Sequence, residues 1–135
     1  DLSRTYLDWA RRNHELNGQN VDRFDLVQAD ARRFLAELPS ERRFDLAVVD
    51  PPTFSNSKRT DDDWDVQLHH AELLMLLAAR MSPGGVIYFS TNFRRFKLEE
   101  TSLVGLEIEQ ITSRTVPEDF ANKRTHACWR MVVRA

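Results

Sequence analysis

Short apolar runs that end at an acid or a polar exit punctuate this chain, and they limit what it can fold into. The clearest is "FDLAVVD", residues 44 to 50. A continuous apolar run without polar alternation is typical of a strand covered on both faces, so it reads as a central strand. "FDLVQAD" (24 to 30) has the same form, and "VIYFST" (86 to 91) reads as the next strand. Helical patterns separate them. Ser3 is a good N-cap for a helix over 4 to 16, stopped by Asn17-Gly18. "ARRFLAEL" (31 to 38) places Phe34, Leu35 and Leu38 on one face before Pro39. "VQLHHAELLMLLAARM" (66 to 81) is a strong helix halted by Ser82-Pro83-Gly84-Gly85. A short helix is expected over 97 to 103, a strand over 106 to 111 and a last strand over 126 to 135. Two closing strands with no helix between them form an antiparallel hairpin. The alternation predicts an α/β fold with an open, mostly parallel sheet and helices on both faces, binding ligands at the carboxyl ends of its strands.

Length and charge narrow the function. The chain has 135 residues, 41% of them hydrophobic, enough for one domain over 1 to 135 with its own core. With 19 basic and 21 acidic side chains, nucleic-acid binding has to come from local patches and not from net charge. The single cysteine, Cys128, rules out an internal disulfide. No signal peptide is recognisable, and no apolar run approaches the roughly 18 residues of a membrane span. A cytoplasmic setting without membrane contact is therefore expected. Asp1-Leu2-Ser3 lacks a methionine and opens directly at a helix-capping pattern, which suggests that a segment precedes it.

The residues that follow each strand carry the chemistry. Asp1 would follow a strand upstream, Asp30 follows the second run, Asp50 the third, and "NFRRFK" (92 to 97) the fourth. An acid at a strand exit can hold a ribose diol, since one carboxylate accepts from both hydroxyls. Plain helix capping is the alternative for Asp1 and Asp30. Asp50-Pro51-Pro52 is sharper: the residue before a proline is kept out of helical geometry, and the prolines fix the turn. The Asp50 carboxylate and nearby carbonyls then form a rigid array of acceptors. Phe54 beside them could stack on a base, Ser55, Asn56 and Ser57 offer hydrogen bonds, and Lys58 and Arg59 offer phosphate contacts. The alternative is a solvated loop with Phe54 tucked into the core.

"DPPTFSNSKR", together with "DLSRTYLDWARRNHELNG", "VQADARRFL" and "DFANKRTHACWRMV", closely resembles the C-terminal methyltransferase half of the bacterial fused large-subunit ribosomal RNA guanine methyltransferases, across essentially the whole chain. The resemblance implies a Rossmann-like class I methyltransferase fold with S-adenosyl-L-methionine as cofactor and 23S ribosomal RNA as partner. The expected reaction is methylation of guanine N7. It also implies that the first strands, the glycine-rich loop and the N-terminal part of the polypeptide lie outside this chain. Carried onto this sequence, Asp1 with Leu2 and Ser3 resembles the ribose-binding segment, and Asp30 with Ala31 the adenine-contacting pair. Asp50, Pro51, Pro52 and Phe54 resemble the catalytic-loop motif, with Asp50 also beside the cofactor.

The chemistry agrees. Guanine N7 has a lone pair and no proton, so methyl transfer there needs alignment, exclusion of water and support for a sulfonium cation, but no general base. Cytosine-C5 methylation would need a cysteine nucleophile at this edge. The fourth exit reads Ser90-Thr91-Asn92 instead, and Cys128 falls inside the last strand.

The four glycines, Gly18, Gly84, Gly85 and Gly105, do not make a cofactor loop. With the first strands absent, a gap beside Asp50 is expected, and weak or no cofactor binding by this chain alone. Lys58-Arg59, Arg94-Arg95 with Lys97, and Lys123-Arg124 fall near the same edge, interleaved with Phe93 and Phe96, and form a candidate RNA footprint opposed by Asp61, Asp62, Asp63 and Asp65. Solvated loops are the alternative for each pair. His126 reads as a residue that orients a loop or contacts substrate. His69 and His70 are adjacent on a helix and diverge, so no metal is expected. Two other functions fit parts of the pattern: a nicotinamide-dependent dehydrogenase, and a non-catalytic RNA-binding module.

Overall fold

The computed structural model describes residues 1–56, 63–120 and 126–134, and the chain divides into two compact units, Asp1–Glu37 and Leu38–Ala135.

The first unit is built on helix α1, Arg4–Leu16. Ser3 is its N-cap in extended geometry, and its Oγ accepts from the Tyr6 amide at 3.3 Å. The far end closes as Asn17-Gly18 predicts. Gly18 takes φ 67°, its N–H donates to the Glu15 carbonyl, and Gln19 N–H donates to the His14 carbonyl. These two bonds satisfy carbonyls the helix leaves over, and the left-handed residue between them favours glycine. A 3₁₀ turn at Val21–Arg23 follows, and Phe24 returns to stack on His14 with centroids 4.0 Å apart. Helix α2, Ala31–Glu37, ends one residue short of the expected span, since Leu38 precedes Pro39 and is steered out of helical geometry.

The strand expected over 24 to 30 does not form. Its bonds go to the start of the chain: the Asp1 amino group donates to the Val27 carbonyl at 3.2 Å, and Ala29 N–H to the Asp1 carbonyl at 3.2 Å. A strand exists only as part of a ladder, and two bonds to a single residue do not extend into one.

In the second unit, strands β1 (Phe44–Val49), β4 (Met81–Thr91), β5 (Leu106–Gln110) and β6 (Ala127–Val133) form a sheet in the order β1-β4-β6-β5. β1 pairs parallel with β4, while β6 runs antiparallel to both β4 and β5. Three strands thus point one way and only β6 opposes them, so the closing hairpin is as expected. A second sheet, unforeseen in the sequence, pairs β2 (Phe54–Ser55) with β3 (Trp64–Asp65). The long helix, α3, spans Val66–Ala78. The helix expected over 97 to 103 is only a 3₁₀ turn at Glu100–Ser102, and a short α4, Thr112–Thr115, follows β5.

Two expectations are corrected here. The Ser82-Pro83-Gly84-Gly85 stop lies inside β4, as an irregularity between the pairs Phe44 with Met81 and Leu46 with Val86. Gly84 sits at φ 78°, and a Cβ on Gly85 would lie 2.8 Å from the Ser82 carbonyl oxygen and 3.2 Å from that of Phe44. The turn residues fold a bulge into the strand and do not end it. Among the described residues β1 is also an end strand of this sheet and not a central one, with Leu46 61% and Val48 75% exposed, which leaves open a flank beside Asp50, where a gap is expected.

The core lies where α3 meets β4 and β6. Val66, Leu73, Leu74 and Leu77 bury one side of the helix, and Ile87, Phe89, Trp129 and Met131 are buried on the strands. Each such side chain contributes roughly 1.5–3 kcal/mol on burial. Phe96 joins His70, Phe89 and Trp129 in an aromatic cluster, with centroids 4.7, 5.6 and 5.4 Å from it.

Candidate active site

β1, β4 and β5 all point to one edge of the sheet. Asp50 leaves β1 there, and its Oδ1 accepts from Ser90 Oγ of β4 at 2.7 Å. Pro52 and Thr53 of the turn that follows are also tied down. Pro52 O accepts from Trp64 Nε1 at 2.7 Å, Thr53 O from Val66 N–H at 3.0 Å, and Thr53 Oγ1 donates to Asn92 Oδ1 at 2.9 Å. The rigid turn is present, but the Pro52 and Thr53 carbonyls are used internally and do not form an open acceptor array. Phe54, in β2, is 57% exposed and outside the aromatic cluster, so the core alternative does not describe it. Ser55 is half-buried opposite Trp64, and Asn56 is exposed.

The second exit loop leaves β4. Phe93 N–H donates to Thr91 Oγ1 at 3.2 Å, and Phe96 N–H to the Phe93 carbonyl at 3.0 Å. Arg94 and Arg95 form the exposed corner of that turn. Phe96 is corrected: it packs in the aromatic core and offers no stacking face with the arginines. Ser57, Lys58, Arg59, Asp61, Asp62, Lys123 and Arg124 lie outside the described residues.

Asp65 caps α3, its Oδ1 accepting from Gln67 and Leu68 N–H at 2.8 and 3.3 Å, which explains this acid without reference to RNA. His126 Nε2 lies 2.9 Å from Thr115 Oγ1, a contact that fixes the α4 turn. Cys128 is buried opposite Ser90. Burial pushes its thiol up, the Thr115 hydrogen bond works the other way, and the Asp50 charge adds to the rise. A thiol held protonated is a poor nucleophile, which counts against cytosine-C5 chemistry.

In the first unit, Asp1 and Asp30 come together through the bond between Asp1 O and Ala29 N–H. Both also act as caps. Asp1 Oδ1 accepts from Ser3 N–H at 2.7 Å, and Asp30 Oδ1 from Arg32 and Arg33 N–H at 2.8 and 3.2 Å. Ala31 opens α2 directly after Asp30, while Leu2 and Ser3 lie between Asp1 and α1.

Nothing in the local sequence marks Ser90, Trp64 and Gln67 as site residues. Their partners lie 40, 12 and 30 residues away, and no local pattern signals such pairs.

No family model matches the chain. It is 50% identical, over 99% of its length, to the ribosomal RNA large subunit methyltransferase K/L of Pseudomonas aeruginosa and equally to that of Pseudomonas putida. The chain matches a segment of the K/L methyltransferase. That segment is 18% of the length of these relatives. Among solved structures, SMU.776 in complex with SAH aligns at a TM-score of 0.75 with 18% identity, covering 98% of this chain and 38% of that one. The SAM-dependent methyltransferase of Agrobacterium tumefaciens aligns at 0.66 with 16% identity, covering 99% and 47%. The fold is therefore the Rossmann-like one of these methyltransferases. Among the described residues no helix is long and apolar enough to cross a membrane.

Proposed function

We propose that this chain is the C-terminal portion of a methyltransferase domain that uses S-adenosyl-L-methionine to methylate guanine N7 in 23S ribosomal RNA, in the cytoplasm. The observation that carries this reading is the Asp50-Pro51-Pro52-Thr53 turn, pinned at the strand edge by Ser90, Asn92 and Trp64, in a chain that shares half its positions with large-subunit ribosomal RNA methyltransferases.

The side chains suit the cofactor's chemistry. Asp1 and Asp30 cap through Oδ1, and Arg32 Nε also lies 3.8 Å from Asp30 Oδ1; the two carboxylates are the acceptors offered to a ribose and an adenine, with Leu2, Ser3 and Ala31 as neighbours. Asp50 carries negative charge at the strand exit, where it favours a sulfonium cation. The cofactor supplies an electrophilic methyl group. The protein's task is then alignment: the pinned turn fixes Asp50, and exposed Phe54 gives a base a face to stack on. No residue needs to remove a proton, because N7 carries none. Arg94 and Arg95, with Lys58, Arg59, Lys123 and Arg124 and with Ser55, Asn56 and His126 nearby in sequence, supply the RNA contacts.

All four glycines are in the described residues, and three have conformational tasks elsewhere: Gly18 ends α1, and Gly84 and Gly85 shape the β4 bulge. This supports the further reading that the chain alone binds cofactor weakly and is inactive, and that the upstream part of the same polypeptide completes the domain. The test is methylation of a 23S ribosomal RNA fragment by the chain joined to its upstream segment, with the product mapped by reduction and strand scission at N7-methylguanine. Methylation on an exocyclic amine or on cytosine C5 overturns the assignment. Tight cofactor binding by the isolated chain in calorimetry overturns the reading of incompleteness.

A further inference from the structure

The first turn of α3 reaches both exit loops. Toward the motif turn, Val66 N–H donates to Thr53 O. Toward the arginine loop, the Gln67 side chain makes a reciprocal pair with one backbone unit. Its Nε2 donates to Lys97 O at 2.9 Å, and its Oε1 accepts from Lys97 N–H at 2.9 Å. One turn further on, His70 Nε2 accepts from Glu99 N–H at 3.1 Å. The His70 ring is buried, and its Nδ1 faces the Val66 and Gln67 carbonyls at 2.9 and 3.0 Å. Those carbonyls require the proton on Nδ1, which leaves Nε2 as the acceptor for Glu99.

The Gln67 primary amide, with a donor and an acceptor on adjacent atoms, satisfies both groups of Lys97 at once. A carboxylate lacks the donor, and an ammonium lacks the acceptor. With Phe96 sunk in the aromatic cluster and Phe93 bonded to Thr91, the segment carrying Arg94 and Arg95 is held at both ends. The pinned motif turn rests on the same helix end. We propose that Gln67 is a positioning residue that sets the Arg94-Arg95 turn against the Asp50 turn, so that RNA bound by the arginines presents its base in line for transfer. This rests on the function proposed above. Gln67 touches no reacting atom; it acts through the backbone of residues 97 to 99.

The experiment uses the polypeptide that carries this chain with its upstream segment, and compares wild type, Gln67→Met and Gln67→Glu. Methionine keeps the length and loses both bonds. Glutamate keeps the acceptor for Lys97 N–H. The expected result is that Gln67→Met lowers single-turnover methylation efficiency on the RNA fragment by roughly 10- to 100-fold, the scale of a small misplacement of bound reactants. The S-adenosylmethionine dissociation constant should stay at its wild-type value, and the melting temperature should fall by only the few degrees expected for two lost hydrogen bonds. Amide exchange at Lys97 should speed up in Gln67→Met and much less in Gln67→Glu, which should recover part of the rate. Wild-type efficiency in Gln67→Met overturns the inference, as does a loss of cofactor affinity and melting temperature in step with the rate. A wild-type enzyme that leaves the fragment unmethylated overturns the proposed function, and this inference with it.

Discussion

Ser90 Oγ donates to Asp50 Oδ1 at 2.7 Å, joining the ends of two neighbouring parallel strands through residues 40 apart in sequence. The hydroxyl fixes one rotamer of the acid that the proline turn presents. Ser90→Ala should therefore lower the single-turnover methyl-transfer rate of the complete domain. Its effect on stability should be small, about 1 kcal/mol, the usual net worth of one hydrogen bond. Rate and thermal unfolding measured on the same preparation separate the two effects. An unchanged rate would mean that Asp50 needs no such alignment.

Asp50→Asn should keep the fold and part of the RNA affinity while the rate falls, because the charge beside the sulfonium is lost. With no base in the reaction, the wild-type rate should have no limb near neutrality that the asparagine variant removes. A pH series of single-turnover rates checks this, and a full-rate Asp50→Asn enzyme would remove Asp50 from the mechanism.

Phe54→Ala should act on binding. The ring is exposed, so the melting temperature should hardly move, while RNA affinity should fall by roughly 1–3 kcal/mol, the scale of one stacked base. Fluorescence titration of the RNA fragment provides the measurement.

Arg94→Ala with Arg95→Ala should flatten the salt dependence of RNA binding, since each lost phosphate contact releases fewer counterions. Phe96→Ala should act on stability instead: it empties part of the aromatic cluster and destabilises by about 3 kcal/mol. A salt slope that survives the double substitution would mark the arginines as merely solvated.

Cys128 links stability to alkaline pH. Its folded pKa is raised above the ordinary 9.0, first by burial, so the unfolded chain releases the thiol proton at a lower pH than the folded one. The contribution is full below pH 9 and is lost as the pH rises through the folded value. Wild type should lose more melting temperature than Cys128→Ala between pH 8.5 and pH 10, each about half a unit or more from that reference. Parallel losses would show that the thiol does not titrate in this range.

What was legible in the sequence follows the range of the interactions. The end of α1 is decided within a few residues by Asn17-Gly18, and it could be read directly. The apolar runs of β1 and the buried half of β4 were equally plain. Residues 24 to 30 have a strand's composition but find no ladder partner among the described residues of this chain, and composition alone does not supply one. Ser82-Pro83-Gly84-Gly85 has the local chemistry of a turn, but its context makes it a bulge inside β4. At the site, the Asp50 turn announced itself through its prolines. The residues that aim it, Ser90, Asn92 and Trp64, come from other elements.

The exposed side of β1 also governs how the chain behaves in the test tube. Among the described residues β1 is paired on one flank only, with Leu46 and Val48 open to water; such a strand is a template for further strands, and no proline within it blunts the edge. Concentrating this chain by itself therefore favours edge-to-edge association and precipitation, and a lysine at Val48 should raise its solubility limit without touching the buried face.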